Sequence, residues 1–364
     1  MARDHYIPAS VIGRFSVDRV ASARERVVFV GRQGHNNAFQ TKARNIGCTN
    51  NLYRVSRPVV SGDTDTDTVD SAVGRYESAL PSMLDCLDGS ESIRLEPWLR
   101  TLVPFVASIF VRGNDFAARF EARRVVKTSG VSSSDNTNGA RLIELQRLLA
   151  PVICARWVVL HRMGAEPFIL NDLGLMPTRD LSIDEWGWAM PISMHAVLGV
   201  FPRATRTVAQ YRGGSWNSVI EHRYLDVREM SSFNDRMALS ATEWIIGPDH
   251  ELVERYLARV RQDGHDAVPI MERWPFDHAT LVAHDRDWHR LISATADEPA
   301  PDSLGDLQNI NVVKLSKAWC PPVIMTLNMA ELPTGLRRSG NSIRLTVRKP
   351  DNYDDYFLRP DTDD

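Results

Sequence analysis

Between Trp98 and Phe110 apolar side chains fall on nearly every side of a helix. Trp98, Leu102, Phe105 and Ile109 recur at helical spacing, while Leu99, Val103, Val106 and Phe110 fill the adjacent face. Such a helix is buried over most of its circumference, so the chain folds around a substantial core. The composition agrees: 43% hydrophobic and 24% charged residues exclude disordered, collagen-like and disulfide-scaffold classes. At 364 residues the chain has room for two or three domains, or for one large domain with embellishments.

Other segments place this helix in an α+β protein with a long helical hairpin in the middle, flanked by β-strand regions. The polar stretch Ser129 to Gly139 reads as a loop leading into a second long helix, Ala140 to about Arg162, kinked at Pro151. Upstream, Arg26 to Val30 reads as a strand and Asn51 to Val55 as its partner. Downstream, Phe168 to Asp172 reads as a short strand ending on a carboxylate, Ala196 to Phe201 as a strand, and Ser232 to Trp244 as a helix whose start is marked by Ser231, Ser232 and Asn234. Alternation at Ile343, Leu345 and Val347 marks an edge-type strand. The expected organisation is an α+β domain over 1–250 with a linker near 61–77, a packed extension over 251–350, and an acidic mobile tail over 351–364.

Several function classes fall away. Acidic and basic residues nearly cancel, giving a net charge of −3, so charge does not support nucleic acid as a partner, although a local basic patch would allow it. None of the five lysines, Lys42, Lys127, Lys314, Lys317 and Lys349, follows a glycine, which removes P-loop nucleotide hydrolysis. The His-Glu-x-x-His, Gly-x-Ser-x-Gly and Gly-x-Gly-x-x-Gly signatures are missing from the sequence. The aspartates of Asp63 to Asp70 alternate as in a calcium loop, but Thr68 and Gly74 stand where the turn glycine and bidentate glutamate belong. In Asp277 to His289, the side chains of His284 and His289 would point about 140° apart on a helix and share no face. Cys48, Cys86, Cys154 and Cys320 are dispersed and read as reduced thiols; with no signal peptide and no apolar run long enough to span a bilayer, a cytoplasmic location and no membrane partner are expected.

Two polar residues stand out beside rigid or apolar neighbours. His5 precedes Ile7-Pro8, and Asp172 ends an apolar strand; each is either a structural hydrogen-bonding group or an acid–base catalyst. The order of several weak motifs resembles a widespread, functionally uncharacterised bacterial family. Its opening His-Tyr-Ile/Val-Pro is similar to HYIPASVIGRF, His5 to Phe15, and its Asn-Ile segment and aromatic strand to NIGCTNNLY, Asn45 to Tyr53. An arginine near the end of its central helix matches Arg112, and its Phe-Ile-Thr-Ser-Asp-Asn-Pro strand end resembles Phe168 to Gly174, where only the aspartate is kept cleanly. A downstream strand resembles Met190 to Val197, and a final Asn-x-x-x-Ala helix matches Asn234 to Ala238.

The resemblance picks out His5, Arg112, Asp172 and Asn234 and supplies no activity. An imidazole, a guanidinium, a carboxylate and an amide suffice for acid–base cleavage of an anionic ester, and equally for a buried hydrogen-bond network. Two readings stay open. One is a hydrolase or nuclease acting on a phosphate ester in phage defence or toxicity, with His5 as acid or base, Asp172 as its orienter or as ligand to a divalent metal ion, Arg112 on the phosphate and Asn234 positioning. The other is a non-enzymatic sensor or protein-interaction module, for which Trp186-Gly187-Trp188-Ala189-Met190 would offer an aromatic interface to a protein partner. Whether the four polar residues converge in one open cleft separates them.

Overall fold

The computed structural model describes residues 3–35, 37–56, 70, 74, 76–113, 115–118, 132–180, 185–201, 209–212, 215–263 and the short segments 310–312, 325–327, 336–339 and 342–345. The expected calcium-like and His284/His289 segments, nearly all of the 61–77 linker and the 351–364 tail lie outside them.

The chain is a mixed α+β protein. It starts with a short strand β1 (Arg3–His5), a helical turn α1 (Ala9–Ile12), β2 (Val27–Arg32), β3 (Phe39–Lys42) and β4 (Cys48–Asn50). Helices α2 (Leu80–Asp88), α3 (Val103–Arg112) and α4 (Ser133–Cys154) follow. Next come β5 (Arg156–Arg162), β6 (Leu170–Asn171), β7 (Met176–Asp180), β8 (Glu185–Pro191), β9 (Ala196–Phe201), β10 (Ala209–Arg212), β11 (Ser215–Ser218) and β12 (Ile220–Leu225). The described body closes with α5 (Val227–Leu239), β13 (Trp244–Gly247) and α6 (His250–Asp263).

A five-stranded sheet, β12-β5-β9-β8-β7, lines one side of the core, and a four-stranded sheet, β3-β2-β13-β6, lies in the same core cluster. Every residue of β9 is buried, as expected for a central strand without solvent on either face. The pair β1–β4 forms a small ribbon of its own. Strands Leu336–Ser339 and Ser342–Leu345 pair with each other and, through Ser342 and Ile343, with β10, so the alternating segment near the C-terminus lies inside its sheet rather than at an edge.

All ten residues of α3 are buried, which bears out the apolar wrap of its sequence. Its approach differs from a regular helix: Trp98–Leu102 is a π-helical stretch. Pro104 lacks the N–H that would continue α-helical pairing there, so the chain widens. Among the described residues the first helix, Val103–Arg112, is short, and the expected long helical hairpin is not shown. Trp98 meets Trp157 edge-on at 5.2 Å, and Phe110 meets Trp188 at 5.2 Å, fixing this helical run against the five-stranded sheet. Trp188 is thus core, not interface.

Four further expectations are corrected. Ser133 to Gly139 is helical rather than a loop, with Ser132 as N-cap; its polar side chains are tied to the neighbouring chain, Asp135 to Ser56, and Asn138 to the carbonyls of Leu52 and Arg54. Those bonds, with Tyr53 N–H donating to Asp4, occupy the backbone expected as a partner strand, Asn51 to Val55, and β2 pairs instead with β3 and β13. Arg156 to Arg162 is a strand, where its β-branched run outweighs the helical period. Finally, α5 starts at Val227 because Asp226 and Glu229 form a reciprocal capping box, leaving Ser231, Ser232 and Asn234 inside the helix.

Candidate functional site

The N-terminal ribbon carries His5 to the wall of a cavity of about 400 Å³ that Ser10, Arg24, Glu77 and Ser78 also line. Behind it stands Arg112, delivered by the last turn of α3 and fully buried. Its guanidinium donates to Glu77 at 2.7 Å, to the His5 carbonyl, and to the Tyr53 hydroxyl at 3.4 Å. Tyr53 Oη lies 3.3 Å from the His5 carbonyl and 3.2 Å from that of Arg112, and its ring lies beneath the guanidinium at 5.9 Å. Arg112 therefore fixes β1 to α3 and aims Glu77; each of its three nitrogens donates to a protein acceptor, and its side chain does not line the cavity.

The His5 imidazole is itself oriented. Its Nε2 lies 3.2 Å from the Arg44 carbonyl, an atom that only accepts, so Nε2 carries the proton and Nδ1 keeps its lone pair. Burial pushes the imidazole below its ordinary pKa; the Arg44 carbonyl pulls it upward, and the charges of Arg24 and Arg112 lower it further. The group is neutral at pH 7 and has the form of a base.

Asp172 and Asn234 do not join it. Asp172 sits at the end of β6, and its carboxylate accepts from Thr242 N–H at 2.8 Å and from the Thr242 hydroxyl. Burial raises its pKa, and the Thr242 hydroxyl and neighbouring amides pull it back in part. It makes no hydrogen bond to His5, so the expected His–Asp pair is not formed. Asn234, buried on α5, clips the segment leading into β6: its Oδ1 accepts from Ile169 N–H at 3.2 Å and its Nδ2 donates to Pro167 O at 2.9 Å. These two residues brace β6 from both sides. Gly174 closes the turn after it with φ 71°, and Ile7 packs where a side chain would stand.

Asp172→Ala and Asn234→Ala are each expected to cost about 1 to 3 kcal/mol, by leaving buried partners unsatisfied. Thermal unfolding should show falls of roughly 2 to 12 °C, with activity per folded molecule unchanged.

Glu77, Arg24 and Arg44 went unseen in the sequence. Glu77 lies at the end of a segment that reads as a linker, and the arginines are lost among the 38 that remain when the five lysines are subtracted from 43 basic residues. Among the described residues, no three His, Cys, Asp or Glu side chains are grouped to hold a metal ion, and no helix is long and apolar enough to cross a membrane. No protein-family model, curated protein or solved structure matches the chain.

Proposed function

We propose that this chain is an acid–base hydrolase of phosphate esters, nucleic acid among them, with His5 as the proton-transfer group. The observation that supports this reading is the orientation of the imidazole: its Nε2–H is held by the Arg44 carbonyl at the wall of a cavity that Arg24 and Glu77 also line. His5 Nδ1 takes the proton of a water as the water oxygen bonds to phosphorus. The ester P–O bond breaks, the leaving alcohol oxygen takes a proton from solvent, and His5 Nδ1 returns its own proton to solvent. Arg24 supplies the positive charge for the phosphate oxygens, a part first expected of Arg112. Arg112 becomes a positioning residue, and Asp172 is not kept as orienter or metal ligand because its carboxylate oxygens face Thr242.

The alternative, a non-enzymatic sensor or interaction module, draws on the same contacts, since Arg112, Asp172 and Asn234 are all engaged structurally. Hydrolysis of nitrophenyl phosphate mono- and diesters and of single-stranded RNA and DNA by the full chain decides between them. His5→Gln is expected to lose about 10²- to 10⁴-fold in rate with the melting temperature nearly unchanged. Defence or toxicity, proposed with this activity, further requires that the wild type arrest growth when expressed and His5→Gln not do so. A folded wild type inactive on every probe would leave the interaction module in front.

A further inference from the structure

Far from His5 in sequence, β5 and β12 run parallel with Tyr224 opposite His161 and His222 opposite Val159. Residues two apart on a strand share a face, so His161, His222 and Tyr224 stand together on one side of the sheet. His161 Nε2 lies 2.8 Å from His222 Nδ1, and the two rings are 5.1 Å apart and inclined by 21°. That centroid separation is close to the largest that two rings with nitrogens 2.8 Å apart allow, so the nitrogens point at each other. Converging lone pairs, as a shared metal ion would need, are not formed; one proton lies between two acceptors. Tyr224 stacks on His161 at 5.1 Å, and Ser90 Oγ approaches the same Nε2 at 3.1 Å. Ser90 stands just past the C-terminus of α2 with φ 58°, so the pair joins three elements: α2, β5 and β12.

We propose that the His161–His222 pair is a pH-sensitive clamp that holds the outer strand β12 and the end of α2 to the sheet, and that a second proton releases it. With one proton the pair is a hydrogen bond between a donor and an acceptor. With two, both nitrogens are donors and both rings are positive, so the bond becomes a repulsion. The position of β12 makes this consequential. Among the described residues it is the outermost strand of its sheet, paired with β5 alone, and it leads directly into α5, whose Asn234 braces β6.

The groups facing the pair set its direction. From α2, Asp88 favours the charged form of His161, but its carboxylate is already committed to Arg14 and to the Ser193 hydroxyl at 2.7 Å. His195, in the turn before β9 and bonded through its carbonyl to Arg162, is itself held low by burial and by Arg162, with Arg19 and Arg14 adding to this against Asp88. From β12 comes Tyr224, stacked on His161. Burial lowers both His161 and His222, and the charge of His161 lowers His222 further. A histidine whose folded pKa is depressed contributes stability that is present above about 6.5 and is lost as pH falls below it, because there the open form binds more protons. One pKa unit corresponds to a tenfold change in the opening equilibrium.

Amide hydrogen exchange of the full chain tests this. Corrected for intrinsic rates, protection of residues 220–225 is expected to fall about tenfold or more between about pH 7.5 and about pH 5.5, while residues 244–247 of β13 change far less. His222→Gln, which keeps one hydrogen-bonding group and removes the second charge, is expected to cut that pH dependence to about threefold or less. Protection of β12 in the wild type that does not depend on pH, or that falls together with β13, would overturn the clamp even if the variant failed to fold. So would a folded His222→Gln that kept the full pH response.

Discussion

Deleting residues 1 to 8 is expected to abolish cooperative folding of the chain. The loss removes more than a terminus: β1 leaves β4 unpaired, and Tyr6 and Ile7 leave the core, where they are 4% and 2% exposed. Burial of two such side chains contributes about 1.5 to 3 kcal/mol each. The deletion also strips partners from buried donors: Tyr53 N–H loses Asp4, the Arg112 guanidinium loses the His5 carbonyl, and Trp244 Nε1 loses the Tyr6 hydroxyl. Each costs about 1 to 3 kcal/mol when left unmade. Together these terms match the whole stability of an ordinary domain, about 5 to 15 kcal/mol. A broad, non-cooperative thermal transition is the expected readout; a sharp one near the parent melting temperature would show that the ribbon is dispensable.

Arg112→Met is expected to be the most damaging of the point substitutions considered. Methionine fills much of the volume and tolerates irregular surroundings, so the loss isolates the guanidinium's hydrogen bonds. Glu77, about one-third exposed, regains water on the cavity side and moderates the penalty. The His5 carbonyl and the face of Tyr53 do not, and α3 is no longer tied to β1. A cost of about 2 to 4 kcal/mol follows, which for a body of this size lowers the melting temperature by roughly 4 to 16 °C. Calorimetry of the single variant measures it. A change below about 2 °C would mean that Arg112 is held in place by packing alone.

What could be read in the sequence was local. The wrapped apolar period of Trp98 to Phe110 fixes a buried helical run, and the β-branched or alternating segments at Val27, Ala196 and Ser342 become strands, because side-chain periodicity needs no knowledge of partners. What failed depended on distant contacts. Ser133 to Gly139 reads as a loop until Ser56, Leu52 and Arg54 arrive to satisfy its polar side chains. Arg156 to Arg162 reads as the end of a helix until β9 and β12 flank it, and with that misreading the His161–His222 pair was invisible. The capping box at Asp226 is the exception, a local signal that outweighs the serines after it.

The site followed the same division. His5 was legible because Ile7 and Pro8 pin it and the ribbon is short. Its separation from Asp172 was not, since Thr242, which holds that carboxylate, lies 70 residues away in sequence. The expected contact of Arg112 with a phosphate depends on partners distant in sequence: the carbonyl of His5 and the carboxylate of Glu77 meet its guanidinium only when folding brings them together.

The pH dependence of kcat/KM for phosphate-ester hydrolysis by the full chain, measured beside His5→Gln, tests the central claim most directly. A base whose pKa is lowered by burial must be deprotonated to act, so the wild-type profile should rise through an apparent pKa below about 6.5 and stay level above it. In His5→Gln that rise should vanish, with the residual rate about 10²- to 10⁴-fold lower and the fold intact. A wild-type rate that is zero throughout, or a profile that keeps the same acid limb after His5 is replaced, would contradict the assignment of His5 as the proton-transfer group.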